Sequence, residues 1–164
     1  MASQTDIVTI LHRCADIEIA MADMYDFFSA AYRDNRDIAR LFRKTAAEER
    51  NHEYQIRLAI RTCASSIEEM KVPLEEVERH LTFARTTLEK VRETVPDIGD
   101  ALKISVHTET ILSRFHLDTA ARFTDESCAR LFQAMMAADE GHITSLEKAL
   151  ADYRESRPPV PHDA

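Results

Sequence analysis

Apolar residues recur at steps of three and four along nearly the whole chain, and only two glycines, Gly99 and Gly141, stand among its 164 residues. That period is the signature of amphipathic helices. A sandwich or barrel of this size would need many more turn residues, so β-rich folds are excluded. Three of the five prolines fall in the last seven residues, which leaves the body of the chain nearly free of helix breakers. The spacing predicts a first helix over 5–33, with Ile7, Leu11, Cys14, Met21, Tyr25, Phe28 and Tyr32 inward. After the polar break Arg33-Asp34-Asn35, a second helix is predicted over 36–64, carrying Ile38, Leu41, Phe42, Thr45, Ile56 and Ala59.

Pro73 opens a shorter amphipathic helix over 73–93, with Leu74, Val77, Leu81, Leu88 and Val91 inward. Pro96 ends that region, and Asp97 to Gly99 lead into a helix reaching about 122. Thr124-Asp125-Glu126 open a last helix that continues to about 155. Four long helices and one short one form an all-α four-helix bundle. The short helix lies in a long crossover and spans about 30 Å at 1.5 Å per residue, enough to carry the chain back along the bundle. One domain is expected over 1–155, and 156–164, with Pro158, Pro159 and Pro161, reads as a disordered tail.

Composition narrows the function classes. A hydrophobic share of 45% supports a sizeable core. No apolar run is long enough to cross a bilayer. A net charge of −8 disfavours nucleic acid and anionic membranes as partners. Cys14, Cys63 and Cys128 form no CxxC pair and are odd in number, which reads as reduced thiols in a reducing compartment. The opening Met1-Ala2-Ser3-Gln4-Thr5-Asp6 has neither the basic start nor the apolar stretch of a secretory signal, so the expected location is the cytoplasm.

A repeat lies inside the helical pattern. Ala39-Arg40-Leu41-Phe42 recurs as Ala129-Arg130-Leu131-Phe132, offset by 90 residues. Seven residues after each phenylalanine comes an acid, Glu49 or Asp139, and three later a histidine, His52 or His142. Upstream, Glu18 precedes Glu49 by 31 residues and Glu109 precedes Asp139 by 30. The register points to a duplicated helix pair related by a pseudo-two-fold axis.

Each of these acids sits on an apolar stripe near the middle of its expected helix. Glu18 is flanked at helical spacing by Leu11, Cys14, Met21 and Tyr25; Glu49 by Phe42 and Ile56. Glu109 has Leu102, Val106 and Leu112, and Asp139 has Phe132, Met135, Met136, Ile143 and Leu146. Helices of equal length packed side by side would aim four carboxylates and two imidazoles at one volume. An unpaired buried ion carries a penalty of several kcal/mol, and four anions also repel one another. No basic residue shares these stripes within a turn of the acids. Two divalent cations would neutralise four carboxylates, and residues at i and i+3, about 60° apart around a helix, can reach one ion. In this register Glu48 and Glu53 are the surface acids.

This constellation resembles the ferritin-like di-iron carboxylate proteins, and among them the rubrerythrin group. One Glu comes from each of two helices and an acid-x-x-His pair from each of the others. The resemblance covers about residues 5–155 and extends to Tyr25, seven after Glu18, and to the Phe115-His116 pair. It implies a ferritin-like bundle holding two iron ions, or manganese or zinc. It also implies oxidation of Fe(II) by O₂ or reduction of hydrogen peroxide. Glu49 and Asp139 would bridge the metals, Glu18 and Glu109 would be terminal ligands, and His52 and His142 would each bind one ion. Tyr25 and His116 would orient carboxylates by hydrogen bonds.

Three departures stand out. No cysteine pair of the rubredoxin kind is present, so a peroxidase would need an external electron donor. Leu112 occupies the place of a further carboxylate, and Asp139 is one methylene shorter than the usual Glu. Gly141, costly inside a helix by about 1 kcal/mol, suggests a close approach of backbone or substrate. His12, His80, His107 and His162 have no partner pattern and are expected at the surface, and Cys14 as a small core residue. A homodimer is the default assembly. The alternatives to an enzyme are a metal-binding or iron-handling module and a helical scaffold with a structural metal.

Overall fold

The computed structural model describes residues 4–116, 120–137 and 141–156. Its organising element is α1, Gln4–Ala31, which is apolar around most of its circumference. Ile7, Leu11, Cys14, Ile17, Met21, Met24, Tyr25 and Phe28 are all buried, more than a single stripe would supply, because α1 is covered on several sides. The polar turn at 32–35 reverses the chain, and Asn35 caps α2, Arg36–Thr62, its side-chain oxygen accepting from the Ile38 N–H at 3.2 Å. The Ser29 hydroxyl donates to the Ala39 carbonyl at 2.8 Å across the same reversal. In contrast to α1, α2 is strongly amphipathic. Ile38, Phe42, Thr45, Glu49, His52, Ile56 and Ala59 keep one face against α1, and the other meets solvent.

Pro73 stands just ahead of α3, Leu74–Glu93, whose Val77, Leu81, Ala84, Leu88 and Val91 pack it along α1. This is the crossover helix the sequence predicts. Asp97 caps α4, Ile98–Leu112, accepting from the Asp100 N–H at 2.8 Å. Beyond a 3₁₀ turn and a short strand follow α5, Glu126–Ala137, and α6, His142–Glu155. α4 packs on α6, and both α5 and α6 reach α2. The architecture is all-α and ferritin-like. No helix among the described residues is long and apolar enough to cross a membrane.

The second half departs from the predicted helices in three ways. First, the helix expected to reach 122 stops at Leu112. Ser113–Phe115 tighten into a 3₁₀ turn, and Ala121–Phe123 become a strand, β2, paired antiparallel with β1, Ile67–Met70. Pairing satisfies backbone groups that the helix end would leave open. Arg122 lies 3.1 Å from both Glu68 and Glu69, and Phe123 stacks on Phe132 at 5.5 Å.

Second, the helix expected over 126–155 is broken. Gly141 has φ +127°, in a region that L side chains rarely adopt, and a Cβ there would meet nothing within 4 Å. The backbone conformation, not a close approach, accounts for this glycine. Close approach explains Gly99 instead, where a Cβ would stand 2.9 Å from Tyr153 Cε1, so α4 and α6 can touch. Third, the repeat is not symmetric in space. Phe42 packs among Tyr25, Phe28 and Tyr32, whereas Phe132 packs on the ribbon. The expected tail beyond 156, like Asp139, lies outside the described residues.

The cysteine reading is corrected as well. Cys63, at the end of α2, is joined to Cys128 in the first turn of α5, 65 residues away, and Cys14 alone is a free thiol. The bond removes the ground for assigning a reducing compartment. A tether closing a loop of this length restricts the unfolded chain. Replacing Cys63 and Cys128 together by serine should lower the unfolding free energy by about 2–4 kcal/mol. Urea denaturation of the oxidised protein and the double variant measures this, and coincident midpoints would contradict it.

Candidate metal centre

Successive turns of α1 and α2 bring Glu18, Glu49 and His52 face to face in the core. All three are nearly inaccessible to solvent, at 1%, 1% and 3%. The inward register of α2 is fixed by its neighbours: Glu48 turns out to Lys44 at 3.6 Å, and Glu53 pairs with Arg57. His52 Nδ1 stands 3.3 Å from Glu49 Oε2 and 3.5 Å from Glu18 Oε2. A fourth group joins from the end of α4: His116 Nε2 lies 3.8 Å from Glu18 Oε1, and its ring faces that of His52 with centroids 4.4 Å apart. One ligand atom from each of these four residues falls within 4.8 Å of all the others.

The electrostatics follow from burial. Loss of water pushes the Glu49 carboxyl up, against the hydrogen bond with His52, and the neighbouring Glu18 adds to the rise. Burial pulls the His52 imidazole down, but the carboxylates of Glu18 and Glu49 together outweigh it and hold the ring at about 11. Glu18 Oε1 is fully buried and accepts no hydrogen bond among the described residues. A buried carboxylate oxygen in that condition is costly. Its position beside two imidazoles and a second carboxylate suits a cation of the iron, manganese or zinc class.

Glu109 also faces the interior. It is buried at 1% but lies near the end of α4, and its Oε1 accepts a hydrogen bond from Tyr25 Oη at 2.5 Å. Among the described residues it is not one of the four clustered groups. Burial, then the charges of Glu109 and Glu49, push the Tyr25 phenol well above its ordinary value, so it remains a donor. Tyr25 therefore holds a carboxylate, as expected of it. Asp139 and the His142 side chain lie outside the described residues; the His142 backbone opens α6.

His116 is one of the four clustered groups, and it lies two helical turns after Glu109 although a 3₁₀ turn intervenes. Cys14 fits its expected core role: burial, then Glu18, pushes the thiol up to about 12. His12 and His107 are exposed, whereas His80 is half-buried with its ring 4.9 Å from that of Phe115.

The family model described as Rubrerythrin matches residues 9–151. Neither the comparison with curated proteins nor that with solved structures finds a match.

Removing the Tyr25 hydroxyl strips a buried carboxylate of a donor. Tyr25→Phe should cost about 1–3 kcal/mol of stability, measured by urea unfolding of the metal-free protein. An unchanged midpoint would show that Glu109 does not depend on that bond.

Proposed function

The chain belongs to the rubrerythrin family, and from that premise we propose that it is a di-iron protein of the bundle core, oxidising Fe(II) with O₂ or reducing peroxide. Electrons for peroxide reduction would come from an external donor. The observation that supports the reading best is the convergence of Glu18, Glu49 and His52 in a dry interior, with one oxygen of Glu18 accepting no hydrogen bond among the described residues.

Glu18, Glu49 and His52 would hold one metal, and Glu109, Asp139 and His142 would complete the second position, with Glu49 and Asp139 between the two. Bound iron would supply the redox chemistry. The chain's own part is to fix geometry and keep water out. Phe28, Phe42, Met21 and Met24 wall the interior, all buried, so polar groups there keep their partners rather than hydration. Tyr25 holds the Glu109 carboxylate with its proton in place. His52 lies against both Glu18 and Glu49, so its ring is aimed before any cation arrives.

A metal-holding module without turnover is favoured by one observation, the engagement of Glu109 with Tyr25 outside the four-residue cluster. Anaerobic Fe(II) titration followed by mixing with O₂ or peroxide separates the two readings. Wild-type protein should take up two irons per chain and oxidise them, whereas Glu49→Ala with His52→Ala should lose at least about 100-fold in iron affinity. Iron bound but never oxidised would leave the module, and no uptake by the wild type would remove both.

Protons compete with metal for the same atoms. His52 is held at about 11 in the metal-free protein and so carries its proton at neutral pH. A cation must displace it, so binding should release about one proton per ion from this ring, and affinity should climb as pH rises from about 6 to 8. Calorimetry with zinc in two buffers of different ionisation enthalpy measures the release. Equal heats in both buffers would contradict it.

A further inference from the structure

The sequence suggests that His116 orients a carboxylate, but its separation from Glu18 is that of two groups sharing a site rather than of a hydrogen bond. Orientation requires a hydrogen bond, normally 2.7–3.2 Å. His116 Nε2 is 3.8 Å from Glu18 Oε1, and that oxygen accepts no hydrogen bond among the described residues. Ligands bonded to one small divalent cation at about 2.1 Å stand roughly 3.4 Å apart in a tetrahedron. His52 Nδ1 lies 3.3 Å from Glu49 Oε2 and 3.5 Å from Glu18 Oε2, and His116 Nε2 lies 3.8 Å from the other Glu18 oxygen, all close to that edge. One ligand atom from each of the four lies within 4.8 Å of the others, so a closure of at most about 1.4 Å reaches the same edge.

We infer that His116 is itself a ligand, completing with Glu18, Glu49 and His52 a two-imidazole, two-carboxylate site for a single divalent cation. This rests on the reading that the cluster holds metal, and goes beyond it in naming the fourth ligand and the order of filling. Two carboxylates balance one M²⁺ with both imidazoles neutral. The site therefore needs nothing from Glu109, Asp139 or His142, and fills first.

The backbone around His116 is built to hold it there. Its N–H donates to the Ser113 carbonyl at 3.2 Å, and its own carbonyl accepts from the Ala120 N–H at 2.8 Å. The Ala120 carbonyl in turn accepts from the Lys71 N–H at 2.8 Å, which ties the turn to the ribbon. Arg114 reaches out to Glu76 at 2.8 Å and Phe115 is fully buried against His80. With its two predecessors anchored on successive turns of α3, His116 has its ring against that of His52.

The full chain, loaded with one equivalent of Co(II), tests this by proton NMR. Each cobalt-bound imidazole contributes one exchangeable, far-shifted ring N–H signal. Two such signals are expected for the wild type. His116→Gln, checked for folding by circular dichroism, should show one signal and bind Co(II) at least about 10-fold more weakly. A single signal in the wild type overturns the inference without use of any variant. Two signals and unchanged affinity in His116→Gln overturn it as well, while leaving the metal reading intact. No Co(II) binding by the wild type would instead remove the metal reading itself.

Discussion

Three carboxylates, those of Glu18, Glu49 and Glu109, are withdrawn from water inside one bundle, and the remainder of the structure is arranged around that burden. Each would carry a penalty of several kcal/mol if left as an isolated buried anion. The chain meets the problem in two ways. Glu109 is satisfied locally by a phenol that burial and charge keep protonated. Glu18 and Glu49 are instead set against imidazoles, at separations that hydrogen bonds alone do not complete. The first arrangement occupies one oxygen of Glu109; the second sets two carboxylates against two imidazoles.

The period of the first half carried most of this information. Glu18 is legible because α1 and α2 are long, unbroken and mutually covering, so that three-and-four spacing translates directly into facing. The same logic over-extended the second half. Ile67-Glu68-Glu69-Met70 places its apolar residues three apart, which reads as a helical turn, yet it forms a strand whose irregular register reconciles that spacing with pairing. The register shift between Ile67 and Glu69 lets both Ile67 and Met70 point inward. No local pattern announces such a pairing, because its partner lies more than fifty residues away.

Gly141 was visible as an anomaly but not as a break. Inside a predicted helix, a glycine signals either weakness or close packing, and sequence does not distinguish these from a positive φ. The disulfide was hidden for a related reason: Cys63 and Cys128 share no motif, and only the return of the chain through the ribbon brings α5 to the end of α2. The verbatim repeat places its two phenylalanines in different surroundings. Phe42 and Phe132 are both buried, so the repeated residues do serve the core, but against different partners.

These departures belong together. The disulfide pins the start of α5 beside Cys63, the ribbon pins Ala120 through Lys71, and Ala120 closes the turn that carries His116. Had the helix continued to 122 as its period suggested, no 3₁₀ turn at Ser113–Phe115 would separate His116 from the regular twist of α4. A continuous helix maximises regular bonding but aims every side chain by one fixed period. Ending it at Leu112 frees one imidazole from that period and delivers it to the two carboxylates that α1 and α2 hold out of water. The irregular second half is thus the means by which an asymmetric set of polar groups is gathered on a regular first half.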